Sequence, residues 1–184
     1  MSDQMTFDPM RDFFQRRQRA LLDVQARGLQ LVIDRSEPIR GNFCFPGPDI
    51  DAAIQHQGEH VGRVWYGFSP LHDRLYIDDI EIDSRHQGRG FGQVALWLLW
   101  SRYQLPLTPL YEVMRSHGFW AKVRKRFAAA GVTLTRDLRT GEQEVEQQRW
   151  QHLIPETDAE RLNREYWEGE DAKLICRPVE QRPA

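Results

Sequence analysis

Residues 77–100, IDDIEIDSRHQGRGFGQVALWLLW, constrain the fold more than any other stretch, because an acidic strand runs directly into a glycine-rich loop and an apolar helix. Apolar residues of the strand lie at odd positions up to Ile77 and at even positions from Ile80. Since alternate residues of a strand share one face, this change of phase predicts one inserted residue near Asp78-Asp79, a β-bulge. The alternative is a strand that ends early, followed by an acidic loop over residues 79–83.

The loop Gln87-Gly88-Arg89-Gly90-Phe91-Gly92 directly precedes a predicted helix over Phe91 to Tyr103. Free N–H groups at a helix N-terminus attract anions, and glycines let the backbone approach a phosphate closely. A Rossmann or P-loop site does not fit, because the preceding strands form a meander, GxGxxG is not matched and no Gly-Lys-Ser/Thr follows. The loop therefore predicts a pyrophosphate site of another kind.

The other patterns predict an α/β (α+β) domain with a mixed, mostly antiparallel sheet. Asp8-Pro9 and Gly28 have the positions of helix start and stop signals. Alternating apolar residues and turn pairs predict strands around them. The predicted elements are a helix over 8–28, strands over 29–33, 50–54, 61–68, 74–83 and 107–114, an irregular arm over 36–49, a helix over 119–130 closed by Gly131, a hairpin over 132–145 turning at Thr140-Gly141, a helix after the capping pair Thr157 and Glu160, and a last strand over 172–176.

Composition restricts the function classes. Twenty-five Lys and Arg are outnumbered by 27 Asp and Glu, so the chain lacks the basic excess that nucleic-acid binding favours. Two distant cysteines, Cys44 and Cys176, predict no structural metal and fit a reducing cytoplasm. The longest uninterrupted apolar run, Val94 to Trp100, is too short to span a membrane. We expect a cytoplasmic protein with neither a signal peptide nor a membrane partner.

With the loop in place between strand and helix, the chain resembles the GNAT superfamily, the Gcn-five-related N-acetyltransferases. Gln87-x-x-Gly90-x-Gly92 matches the pyrophosphate loop of that family, [Gln/Arg]-x-x-Gly-x-[Gly/Ala], and the resemblance runs from about Ile50 to about Gly131. It implies one GNAT-like domain over 1–184, with a bulged fourth strand, helices on both faces of the sheet and a C-terminal extension over 132–184. It also implies that acetyl-CoA binds between the fourth and fifth strands.

The resemblance assigns cofactor-binding positions residue by residue. It implies that the backbone of Ile80, Glu81 and Ile82 binds the pantetheine arm. The residues implied around the pyrophosphate are Gln87, Gly88, Arg89, Gly90, Phe91, Gly92 and Gln93. Arg85 and Arg89 either add positive charge there or are simply solvated.

Acetyl transfer to an amine needs a base, and four crowded carboxylates are available: Asp78, Asp79, Glu81 and Asp83. Neighbouring carboxylates raise one another's pKa, which moves a base towards neutral pH. By the resemblance, Asp78 takes the place of the family's proposed base, and Glu81 is the second choice. The alternative is a solvated acidic edge without a catalytic role.

The general acid of the family has no counterpart. Many relatives place a tyrosine four residues before the glycine that ends the last helix of the match, where this chain has Phe127, and an asparagine where it has Trp120. Either solvent protonates the departing thiolate or a neighbouring group does. Of His117, Ser116 and Tyr111, we prefer His117.

The acceptor does not follow from the resemblance, since the arm over 36–49 replaces the helices with which relatives enclose it. An acidic strand favours a cationic amine, such as a polyamine, an aminoglycoside, a lysine side chain or an N-terminus, small or peptide-borne. The aromatic residues Trp65, Tyr66 and Phe68 either line that cleft or belong to the core. Two alternatives stay open: an acetyl-CoA-binding module without catalysis, and acetylation of aminoacyl-tRNA, against which the charge argues. A homodimer is also left open.

Overall fold

The computed structural model describes residues 8–113 and 116–168. The chain divides into two compact units, Met1–His152 and Leu153–Ala184. Within the described residues, no helix is both long enough and apolar enough to cross a membrane. The predicted last strand over 172–176 lies outside the described residues.

The first unit contains five strands and four α-helices among its described residues. In chain order these are α1 (Pro9–Ala26), β1 (Leu29–Glu37), β2 (Asp49–His56), β3 (Glu59–Phe68), β4 (Leu75–Ile82), a 3-10 turn (Ser84–His86), α2 (Phe91–Tyr103), β5 (Leu107–Pro109), α3 (His117–Ala129) and α4 (Thr140–Gln147), after which a second 3-10 segment covers Gln148–Leu153. The second unit contains α5 (Asp158–Glu168).

The helix start signals act as the sequence predicts. Asp8 caps α1, its Oδ1 accepting from the N–H groups of Met10 and Arg11 at 3.1 and 3.2 Å. In the second unit, Thr157 and Glu160 form the predicted capping box: the Thr157 N–H donates to the Glu160 carboxylate, and the Glu160 N–H donates to the Thr157 hydroxyl. Side chains that satisfy N–H groups at a helix start fix where the helix begins.

The five strands form one open sheet in the order β1-β2-β3-β4-β5. The first three pairings are antiparallel, and β4 pairs with β5 in parallel. The β2–β3 connection is a turn at Gln57-Gly58, where both residues have positive φ. The predicted α/β class with a mostly antiparallel sheet is confirmed.

The predicted β-bulge lies at Asp78. Tyr66 of β3 pairs with Ile77, and the preceding Trp65 pairs with Asp79, so Asp78 is the extra residue on β4. The bulge shifts the phase of the strand by one residue, which explains why the apolar positions change from odd to even.

One face of the sheet packs against the helices. Ile50, Tyr66 and Ile77 occupy neighbouring strands on this face and join the main core with residues of α1, α2 and α3. Trp97 is buried there, and its Nε1 donates to Asp23 of α1 at 2.9 Å. The tryptophan is therefore a residue of the main core.

The opposite face is covered by the arm between β1 and β2 and by the segment around α4. Cys44 of the arm packs directly on Gly67 of β3, where an added Cβ would come within 2.5 Å of the sulfur. Trp150 and Tyr76 pack in the same small core, and the Tyr76 hydroxyl donates to Glu146 of α4 at 2.7 Å. The arm is thus an ordered wall over the sheet.

The predicted hairpin over 132–145 is wrong. Thr140 and Gly141 begin α4 instead of a turn, because the Glu142 carboxylate accepts from the Arg139 N–H at 3.1 Å and so satisfies the helix start. The only strand-like contact here is an isolated parallel bridge between Leu107 and Leu134 within the described residues. The strand expected over 107–114 is shortened to Leu107–Pro109.

Candidate functional site

A cavity opens where β4 and β5 separate. The strands pair only as far as Ile77 and Pro109, and the Leu110 N–H donates to Ile77 O at 2.9 Å just beyond. After that point β4 continues through the bulge to Ile82, and no strand among the described residues pairs with it on this side. The resulting cavity has a volume of about 560 Å³. We call it the β4–α2 cavity.

The β4–α2 cavity brings together most of the predicted cofactor residues. Those that line it are Ile80, Ile82, Gln87, Gly88, Gly90, Phe91, Gly92 and Gln93, together with Asp78 and Asp79 of the bulge. Glu81, Arg89 and His117 do not line it. Of the three groups considered for thiolate protonation, Tyr111 and Ser116 do.

The edge of β4 presents backbone groups to this cavity. The Asp83 N–H donates to Val61 O of β3, and alternation along an antiparallel strand then directs the groups of Ile80 and Ile82 to the open side. Side chains currently satisfy two of them: the Ile80 N–H donates to Asp79 Oδ1 at 2.8 Å, and Ile82 O accepts from Gln87 Nε2 at 2.9 Å. A ligand on this edge would exchange these exposed side-chain contacts for its own.

The loop before α2 leaves the helix start without a cap. Gly90 is the N-cap residue with φ of 85°, and it has no side chain to satisfy the first N–H groups of this 13-residue helix. An added Cβ at Gly88 or Gly90 would meet no atom within 4 Å, so both glycines border open space. The arrangement offers backbone N–H groups and the positive end of a helix dipole to an anion.

Gln93 adds a side-chain donor to the same place. It is only 7% exposed, its Oε1 accepts from Arg126 Nη1 at 2.9 Å, and its Nε2 has no hydrogen-bond partner among the described residues. A buried donor without a partner costs free energy, on the order of 1–3 kcal/mol. This unpartnered amide is what an anion or carbonyl oxygen in the cavity would satisfy.

Asp78 is the acidic residue best placed for chemistry. Its side chain is accessible from the cavity, yet surrounding protein raises the pKa of its carboxyl above the ordinary value, and the charges of Asp79 and Asp49 raise the pKa further. Glu81 points away from the cavity as an exposed residue of β4. A carboxylate with a raised pKa is a better proton acceptor near neutral pH than an ordinary one.

The position of the family's tyrosine is closed to the cavity. Phe127 is fully buried and packs edge-on against Trp97, with ring centroids 5.8 Å apart. Phe127 thus packs α3 into the main core. Trp120, at the position of the family's asparagine, is buried and contributes to the cavity lining.

The sequence did not single out three residues as site residues: His86 and Lys122, which line this cavity, and Asp49, whose charge acts on Asp78. His86 is buried and has neither ring nitrogen in a hydrogen bond among the described residues, although Nε2 lies 3.4 Å from Glu59. Lys122, an exposed residue of α3, lines the β4–α2 cavity. Asp49 lies on a different strand from Asp78, and its charge raises the pKa of the Asp78 carboxyl. In the sequence, only its position next to the glycine loop suggests His86 as a site residue. No sequence feature suggests Asp49.

No protein-family model, no curated protein and no solved structure matches the chain. Among residues 8–113 and 116–168, no group of three or more His, Cys, Asp or Glu side chains is placed to hold a metal ion.

Proposed function

We propose that this chain is a GNAT-type N-acetyltransferase, which transfers the acetyl group of acetyl-CoA to a primary amine. The observation that carries the proposal is the uncapped N-terminus of α2, which follows a glycine loop and opens into the cavity beside a bulged strand. A bulge at an active site, an anion-binding helix start and a groove of this volume together fit a long ligand that carries a pyrophosphate.

In this proposal the pyrophosphate binds at the N–H groups from Gly88 to Gln93, and the Gln93 Nε2 supplies a further donor. The pantetheine amides replace the Asp79 and Gln87 side chains at the edge of β4. The displaced side chains are exposed, so they regain water as a hydrogen-bond partner. Lys122 adds one positive charge to the cavity wall.

The chemistry then centres on Asp78. Its carboxylate accepts a proton from the acceptor ammonium, and the neutral amine attacks the thioester carbonyl. The new C–N bond forms, the C–S bond breaks, and coenzyme A leaves as a thiolate that takes a proton from solvent or from the Tyr111 hydroxyl. The Ser116 hydroxyl is less suitable, because it donates to Val113 O at 2.7 Å.

A second candidate is an acetyl-CoA-binding module without catalysis. The buried Phe127 favours it, since no hydroxyl from α3 reaches the cavity at that position. Solvent protonation of a thiolate needs no protein acid, because the pKa of a thiol is not far above neutrality. We therefore rank transfer above binding alone.

One experiment tests both. Binding of coenzyme A is measured by calorimetry, and release of free thiol from acetyl-CoA is followed with a panel of amines, peptides and aminoacyl-tRNA. Binding with amine-dependent thiol release supports the acetyltransferase. Binding without release on any acceptor supports the module, and failure to bind overturns both.

A further inference from the structure

A second cavity lies on the opposite face of the sheet, with a volume of about 270 Å³. We call it the arm cavity. Its lining includes Asn42 and Cys44 of the arm, Asp49 of β2, Gly67 of β3, and Tyr76 and Asp78 of β4. Asp78 lines both cavities, so the arm cavity reaches the residue proposed as the base from the side away from the cofactor.

The walls of the arm cavity are held in place by specific contacts. Phe43 packs edge-on against Tyr76 with ring centroids 4.8 Å apart, and Phe43 O accepts from Gln147 Nε2 at 3.1 Å. An added Cβ at Gly47 would come within 2.6 Å of Phe68 O, so the arm also approaches the sheet closely at its second end. The walls of the arm cavity are therefore fixed by packing and hydrogen bonding between the arm, the sheet and α4.

The arm cavity carries negative charge. Asp49 and Asp78 contribute two carboxylates, and no Lys or Arg belongs to its described lining. Asp49 Oδ2 accepts one hydrogen bond, from Asn42 Nδ2 at 2.9 Å. Burial, followed by the charges of Asp49 and Asp78, raises the pKa of the Cys44 thiol, so this group stays neutral. Two carboxylates in a small cavity favour a cationic occupant.

The distance between the two carboxylates restricts how far apart the positive groups of such an occupant can lie. Asp49 and Tyr76 both lie beside Gly67 in the cross-strand register, and Asp78 follows two residues later on β4. Since β2 and β4 are separated by one strand, their backbones lie roughly 10 Å apart. An occupant that places one positive group near Asp49 and a reacting amine near Asp78 therefore needs only a short chain between its two nitrogens.

We propose that the arm cavity binds the acceptor and that this acceptor is a small aliphatic diamine, with one ammonium held by Asp49 and the other nitrogen delivered to Asp78. This inference rests on the proposed function for the reaction itself. The delivered ammonium loses its proton to Asp78, and its nitrogen forms the C–N bond as the C–S bond of acetyl-CoA breaks. The products are a monoacetylated diamine and coenzyme A.

The test compares 1,4-diaminobutane with butylamine, which has the same chain and only one amine. We expect the diamine to have a kcat/KM at least tenfold higher. Asp49→Asn should raise the KM for the diamine about tenfold or more and leave the KM for butylamine nearly unchanged. Asp34→Asn is the matched control, because Asp34 is exposed on β1, lies outside both cavities, and its partner Arg63 keeps Asp51.

Binding measurements separate this inference from the proposed function. Calorimetry with 1,4-diaminobutane is run on the protein alone and with coenzyme A bound. If coenzyme A binds but the diamine neither binds nor reacts, the arm-cavity inference is overturned and the acetyltransferase proposal is not. If the diamine binds in an Asp49-dependent manner and coenzyme A does not bind, the proposed function fails alone. Acetylation of peptides in preference to diamines also overturns the inference.

Discussion

Arg126 of α3 donates from Nη1 to Oε1 of Gln93 in the first turn of α2, at 2.9 Å. This contact uses the acceptor half of the glutamine amide, whereas the donor half, Nε2, has no hydrogen-bond partner among the described residues. Gln93 itself lines the β4–α2 cavity. An exposed arginine on one helix thereby fixes the orientation of a buried donor on another.

Because Arg126 orients Gln93, we predict that replacing Arg126 weakens cofactor binding although Arg126 itself does not touch the cofactor. Arg126→Met keeps the aliphatic stem but frees the Gln93 amide to rotate, and we expect coenzyme A to bind about threefold to tenfold more weakly, the worth of one hydrogen bond. Gln93→Leu should give a loss of similar size. Calorimetric titration with coenzyme A measures both.

Lys125→Met is the control, because the neighbouring Lys125 is exposed and outside the cavity, and its loss changes the charge equally. An equal loss of affinity in Lys125→Met would show that charge alone matters, and the positioning role of Arg126 would be abandoned.

Of the two carboxylates of β4 considered as the base, we predict that Asp78 matters for kcat and that Glu81 does not. Asp78→Asn should lower kcat roughly 10²-fold with coenzyme A affinity nearly intact, since it removes the proton acceptor and leaves the cofactor contacts in place. Glu81→Gln should change kcat less than twofold, because Glu81 does not line the cavity. Steady-state kinetics on the best amine compares them, and a larger loss in Glu81→Gln would move the role of base to that residue.

The raised pKa of Asp78 predicts a gain of stability when the carboxyl is removed. A carboxyl whose folded pKa lies above its unfolded value, ordinarily about 3.9, binds its proton more tightly in the folded state. The fold therefore loses stability as pH rises from the unfolded pKa through the folded pKa. Asp78→Asn should raise Tm at pH 7, and the gain should vanish near pH 3, where both states are protonated.

Thermal melts across this pH range, with Asp34→Asn beside Asp78→Asn, check the sign. Asp34 forms an exposed ion pair with Arg63, so its removal should bring no gain at pH 7. A Tm for Asp78→Asn that is unchanged or lower at pH 7 would argue against a strained carboxylate at the bulge.

The burial of Phe127 predicts that a tyrosine there is harmful. The ring is fully buried against Trp97, so the added hydroxyl would lie in the core rather than in the cavity. An unpartnered buried hydroxyl costs on the order of 1–3 kcal/mol of unfolding free energy. Phe127→Tyr should therefore be less stable in urea and no more active, and Phe127→Leu should lose stability with little change in kcat. Activation by Phe127→Tyr would contradict this placement of the ring.

The part of the fold that follows from local pattern was predictable. The change from odd to even apolar positions placed the bulge at Asp78, and the apolar run after the glycines gave both ends of α2. The start of α4 was missed, because Thr140-Gly141 fits a turn as well as a helix start and the deciding contact is made by Glu142.

Long-range proximity could not be read from the sequence. The pairing register brings Asp49 beside Gly67 and Tyr76, and the fold of the arm then encloses it with Asp78 in one cavity. Neither residue carries a local signal of the other. His117 was preferred as the acid for its chemistry alone, whereas the course of the chain after β5 brings Tyr111 to the cavity wall and leaves His117 outside it.

The central claim is that the loop before α2 binds the pyrophosphate of coenzyme A, and calorimetry on a matched pair of glycine variants tests it most directly. Gly90 and Gly41 have φ of 85° and 94°, and each borders open space, so Glu at either position brings the same strain and charge. We predict that the wild type and Gly41→Glu bind coenzyme A equally, and that Gly90→Glu binds at least tenfold more weakly, about 1.4 kcal/mol. A folded Gly90→Glu variant with wild-type affinity, or a wild type that does not bind coenzyme A, would contradict the claim.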